Sequence, residues 1–200
     1  MYLLLLGNSG VQAGHTLVGV NLETGEWLRL MTKHVYGQFR HEDTGTEMPF
    51  LGFRTLRSLD VLDVTLGGRC PELGHTECVY LENMKYQGTW NTRDNFSQLE
   101  KYVDINWGNS TGRSSWLIKV SNPEFYIDRQ ETYVDARCRF SHNGTDFDIR
   151  VSDHARWIKD ARNQLNEPID YPKDRTWYFT ICLTDSGRSD QRRIVSAVPF

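Results

Sequence analysis

The sequence predicts a mainly β chain folded as two small barrels. Three observations carry that expectation. Short runs rich in aliphatic, β-branched and aromatic residues recur along the chain, turn residues separate them, and few segments carry a helical stripe. A stretch rich in Asn, Gly, Ser and Thr, residues 88 to 114, parts the runs into two groups of about 100 residues.

In chain order, Leu3 to Leu6 predicts a first strand. Gly7-Asn8-Ser9-Gly10 follows it and reads as a turn, or as a ligand-facing loop between strands. His15 to Leu22 predicts a second strand, Thr24-Gly25 a turn, and Glu26 to Met31 a third strand, together a hairpin. Residues 33 to 52 read as a loop. Leu59 to Leu66 is a strand that Gly67-Gly68 ends. Pro71 to Gly88 reads as irregular, and Asn95 to Val103 as a possible helix. Beyond Gly112, strands are expected at Ser115 to Val120 and Tyr133 to Ser141. His142-Asn143-Gly144 then turns the chain into Thr145 to Val151. Val134, Ala136, Cys138 and Phe140 alternate with Asp135, Arg137 and Arg139. Asp153 to Leu165 is the best helix, with Ser152 or Asp153 as cap and Ala155, Ile158, Ala161 and Leu165 as its inner stripe. Thr176 to Leu183 and Arg193 to Val198 close the list of strands. The expected units are residues 1–107 and 108–200, barrels of the OB or SH3-like type, with the 153–165 helix in the second.

The chain has 200 residues and a formal net charge of −3, so it does not bind polyanions through bulk positive charge. A local basic face remains open, because 17 of its 23 basic residues are Arg. No apolar run approaches the length of a membrane span, and the apolar start lacks the charged region of a signal peptide. A cytoplasmic protein without a membrane partner is expected. Cys70, Cys78, Cys138 and Cys182 show no disulfide framework and read as reduced thiols. The sequons at Asn95, Asn109 and Asn143 then read as chance matches.

Little in the sequence assembles an enzyme. The glycine-rich segment from Gly7 to Gly14 lacks the Gly-Lys-Ser/Thr of a P-loop. A strand pattern follows it where a dinucleotide loop needs a helix. Cys70, His75 and Cys78 could hold a metal with a fourth ligand, yet the paired-cysteine spacing of a zinc deaminase is absent, and buried thiols in a loop are the simpler reading. No cofactor is expected. Asp60 and Asp63, like Asp146 and Asp148, resemble acids on strand surfaces.

The basic and aromatic residues say more. Trp27 and Arg29 share one strand face. Arg137 and Arg139 share another, with Arg150 at the end of the next strand. Arginines that take phosphates beside aromatics that stack bases are how OB folds hold single strands. The alternative is an arginine ladder ion-paired to Asp135, Asp146 and Asp148.

On these residues the chain resembles the bacterial dual-OB domain family. The matching stretches are Leu6-Gly7-Asn8-Ser9, Gly14 through Val20, Gly25-Glu26-Trp27-Leu28-Arg29, Leu59 through Val64 and Glu82-Asn83. In the second half they are Leu117 through Val120, Ala136-Arg137-Cys138-Arg139-Phe140, Asn143-Gly144 through Asp153, and Tyr178 through Leu183. The family's basic residue after Asn-Ser is Gly10 here, and its basic-then-Cys pair is His15-Thr16. The resemblance implies a nucleic-acid-binding module for single-stranded DNA or RNA, a non-enzymatic sensor or accessory part of a bacterial antiviral defence system. The candidate contacts are Asn8, Ser9, His15, Trp27, Arg29, Lys119, Arg137, Arg139 and Arg150. The alternatives are a protein-interaction subunit of a defence complex and a small-nucleotide sensor.

Overall fold

The computed structural model describes residues 1–11, 14–31, 56–70, 76–105, 107, 113–129, 134–152, 171–183 and 192–200. Five strands, β1 (Tyr2–Val11), β2 (Gly14–Asn21), β3 (Trp27–Met31), β4 (Asp60–Arg69) and β5 (Cys78–Thr89), close a barrel in the order β1-β2-β3-β5-β4. All neighbours are antiparallel except β3 and β5. Helix α1 (Thr92–Leu99) and a short 3-10 turn (Glu100–Tyr102) lead out of it. The second sheet takes β6 (Ser115–Ser121), β7 (Glu124–Arg129), β8 (Val134–His142), β9 (Thr145–Val151), β10 (Thr176–Leu183) and β11 (Arg192–Pro199) in the order β6-β10-β11-β9-β8-β7.

That second order repeats the first once β6 and β7 are read as one broken strand. Asn122 sits at φ 51° between them, and Pro123 has no N–H to give a ladder. The N-terminal half therefore pairs with β10 and the C-terminal half with β8. The parallel pair β9–β11 matches β3–β5. A five-strand barrel in this order, twice in one chain, is a dual OB fold. The expected mainly β class with two small barrels is what the chain adopts. The 153–165 helix lies outside the described residues.

Each barrel has its own core, and a third apolar layer joins them. Leu3, Leu5, Leu17, Leu28, Leu30, Leu62, Val64 and Val79 fill the first barrel. The second is aromatic, with Trp116, Phe125, Phe140, Trp177 and Phe179 around Ile118, Ile181 and Ile194. Residues one step along the same strands point outward into a shared cluster: Leu4, Leu6, Val18, Val20 and Trp27 from one barrel, Leu117, Tyr178, Cys182 and Val195 from the other. This is why Leu3 to Leu6 is an unbroken apolar run. A strand buried on both faces has no polar side to alternate with.

Three local expectations change. Gly7-Asn8-Ser9-Gly10 is not a turn, because β1 runs through it to Val11 and pairs with β2 as far as Gly14. A bulge at Leu6 re-aims the strand, and Gly7 passes so close to the second barrel that a Cβ there would lie 2.6 Å from Val195 Cγ2. Pro71 to Gly88 is not irregular, since its second half is the 12-residue β5. Its inward residues are Val79 and Leu81, then Met84 and Tyr86. The register skips Glu82 between them, so the period-2 signal slips phase mid-strand. The possible helix at Asn95 to Val103 begins earlier, at Thr92, where Asn91 Nδ2 donates to Asp94 Oδ2 at 2.8 Å. β7 had no counterpart among the expected strands.

Gly7→Ala is expected to lower stability by about 1–3 kcal/mol through overpacking against Val195. Adding Val195→Ala should restore much of the loss. Thermal unfolding of the single and double variants checks this, and a Gly7→Ala protein that melts with wild type would mean the barrels do not approach so closely.

Candidate nucleic-acid interface

The outward residues of β7, β8, β9 and β11 form a charged face on the second barrel. Alternation sends Ala136, Cys138, Phe140, Ile149 and Val151 into the core. Arg137, Arg139, Asp148 and Arg150 are left on the other side. Register then aligns Tyr126 with Arg137, Arg137 with Arg150, and Arg150 with Arg193. Three arginines thus stand in one row across neighbouring strands. The next row holds Glu124, Arg139 and Asp148.

Like charges directly opposite repel, and acids placed between them hold the row together. Arg137 Nε donates to Asp148 Oδ1 at 2.8 Å and to the Tyr126 hydroxyl oxygen at 3.2 Å. Tyr126 OH donates to Asp148 Oδ2 at 2.6 Å. Arg139 lies 3.5 Å from Asp148 and 4.3 Å above the Tyr126 ring. Arg150 pairs with Asp135. Partial burial works to raise the Asp148 pKa, but the hydrogen bonds from Tyr126 and Arg137 and the two guanidinium charges hold it below its ordinary value. Its contribution to stability is therefore full above the ordinary carboxylate range near pH 4 and is lost as pH falls through the lowered value.

A groove of about 400 Å³ runs along this face, lined by Arg137, Asp146, Asp148, Arg150, Arg192 and Arg193 with Phe147. Phe147 stacks on Phe140 at 5.4 Å and meets Trp107 at 4.9 Å. Arg192 lies 5.0 Å over the Trp107 ring. Guanidinium groups paired to carboxylates on an open surface can exchange them for phosphate oxygens, which present the same fork geometry.

The structure therefore gathers Arg137, Arg139 and Arg150 and scatters the other expected contacts. The arginine ladder on Asp148 and Asp135 is present as well, whereas Asp146 accepts from Ser141 Oγ. Lys119, on β6, is ion-paired to Glu100 at 2.6 Å, beside Tyr178. Asn8 is buried and its Nδ2 donates to Leu56 O at 2.8 Å. Ser9 and His15 are described only as backbone of the β1–β2 hairpin. Trp27 and Arg29 do share a face, but the second barrel covers it and leaves them 8% and 2% exposed. Neither can stack a base or meet a phosphate there. His75 of the possible metal set lies outside the described residues. Cys70 and Cys78 are both buried, and among the described residues no three His, Cys, Asp or Glu side chains could hold a metal ion.

Arg192, Arg193 and Tyr126 were not among the expected contacts. Alternation with the inward Ile194 marks Arg193 as outward, yet only the parallel register to β9 places it beside Arg150.

The family model of the dual OB-containing domain matches residues 1–188. Among solved structures, the tetrameric p202 HIN2 is 7% identical, with TM-score 0.36, covering 100% of this chain and 91% of that one. The Ifi202 HINa domain in complex with 20-bp dsDNA is also 7% identical, with TM-score 0.33, covering 100% and 94%. Overlap at that level leaves the fold resting on strand order and the family match. No curated protein matches the chain. Among the described residues, no helix is long and apolar enough to cross a membrane.

Proposed function

The chain belongs to the dual OB-containing domain family, and from that premise we propose that it binds nucleic acid through the outer face of its second barrel. OB folds take oligonucleotides on the face of their second and third strands. In the second barrel these are β8 and β9. The observation that carries the reading is the row Arg137–Arg150–Arg193 along a groove on that face. The ligand is a single strand of DNA or RNA, whose unpaired bases can reach Tyr126 while arginines take the backbone. The module has no catalysis of its own. A place as a sensor or accessory part of a bacterial antiviral defence system rests on the family resemblance alone.

Titration of labelled oligothymidylate and oligouridylate at several salt concentrations tests the reading. With few phosphate contacts, log affinity should fall with log salt at a slope of about −2 to −4. Arg137→Ala with Arg139→Ala should weaken both ligands and bring the slope closer to zero by about one unit. A double variant that binds and responds to salt as wild type does would remove this face from consideration.

A further inference from the structure

Among the described residues, one member of the arginine row has no carboxylate of its own. Arg137 and Arg139 lean on Asp148, and Arg150 on Asp135. Among the described residues Arg193 has no carboxylate in ion-pair reach, and its Nη1 instead donates to Ser152 Oγ at 3.4 Å. Arg193 is half-buried, with Arg150 as its register neighbour. Burial, together with the Arg150 charge, pushes its pKa down, and Asp135 offsets this only in part. A half-shielded cation beside a like charge lowers stability unless an anion joins it. The groove offers that anion a defined place. Asp146 and Asp148 repel it from one part of the groove, while Arg150, Arg192 and Arg193 attract it to another. Ser152 Oγ accepts from Arg193 and keeps its own proton to donate.

We propose that Arg193, Arg150 and the Ser152 hydroxyl form a phosphate seat at the β9–β11 end of the groove, which takes one phosphodiester group of a nucleic-acid strand. The seat deepens the nucleic-acid reading and rests on it for its natural ligand. Two guanidinium forks and a hydroxyl can satisfy the unesterified oxygens of a phosphodiester, leaving the chain free to run along the arginine row.

The test compares wild type with Arg193→Gln in two arms, oligothymidylate and inorganic pyrophosphate, with melting temperature followed in both. In the first arm, Arg193→Gln should weaken oligothymidylate about tenfold and reduce the salt slope by about 0.7, one phosphate's worth. Its melting temperature without ligand should be unchanged or higher, since a like-charge contact with Arg150 is gone. Equal affinity and slope for both proteins would overturn the seat and leave the wider face standing. If wild type binds no oligonucleotide but binds pyrophosphate, and Arg193→Gln abolishes that, the seat stands and the nucleic-acid reading falls. Binding of neither ligand overturns both. A marked fall in the melting temperature of Arg193→Gln would overturn the seat by making Arg193 structural.

Discussion

Arg29→Ala is expected to lower the unfolding free energy by about 3–5 kcal/mol, because it empties a buried site between the barrels and strips hydrogen bonds from groups left without water. Arg29 and Glu77 are 2% and 3% exposed, where the barrels meet. They are linked through Ser114. Arg29 Nη1 donates to Ser114 Oγ at 3.1 Å and to Leu183 O at 3.4 Å. Ser114 Oγ in turn donates to Glu77 Oε1, which also accepts from Ser114 N at 2.6 Å. Arg29 and Glu77 come from the first barrel, Ser114 and Leu183 from the second, so the relay fixes one against the other. Urea denaturation of Arg29→Ala, Glu77→Gln and the double variant measures the coupling. The double variant should be less destabilised than the sum of the two. If Arg29→Ala keeps wild-type stability and loses only ligand binding, the buried relay is wrong and Arg29 is a contact after all.

Trp27→Ala should cost a similar amount, about 3–5 kcal/mol, through the cavity it leaves. Trp27 packs in the shared cluster with Val20 and Leu117, and the Arg113 guanidinium lies 4.9 Å from its ring centroid. Arg113 is held in place by Asp104 at 2.6 Å and by Ser115 O. The ring is thus a joint between barrels, and Trp27→Phe should keep part of its effect. Melting temperature and oligonucleotide affinity, measured where each variant is folded, separate packing from stacking. A Trp27→Ala protein that melts like wild type but loses oligonucleotide affinity would restore the stacking role.

The sequence showed which residues share a strand face but not what covers that face. Trp27 and Arg29 lie on one side of β3, as their spacing predicts, and Arg137, Arg139 and Arg150 lie on one side of β8 and β9. The first face is buried and the second is open. Local alternation is the same in both, and only packing between barrels tells them apart. Leu3 to Leu6 held a hint, since four consecutive leucines need cover on both sides. β5 escaped notice for a different reason. Its bulge at Glu82 shifts the inward residues from odd to even numbers, so no single period runs through it. The Arg150–Arg193 pairing joins strands more than 40 residues apart in parallel register. No short-range signal records such a contact.

If the proposed face is the binding face, the covered face of β2 and β3 also sets the valency. In the second barrel the matching strands, β8 and β9, look outward. In the first they are spent on docking its twin. Two OB barrels therefore offer one such strand face, not two. A titration should saturate at one short oligonucleotide per chain, with a footprint in the range of a single OB fold, about 4–16 nucleotides.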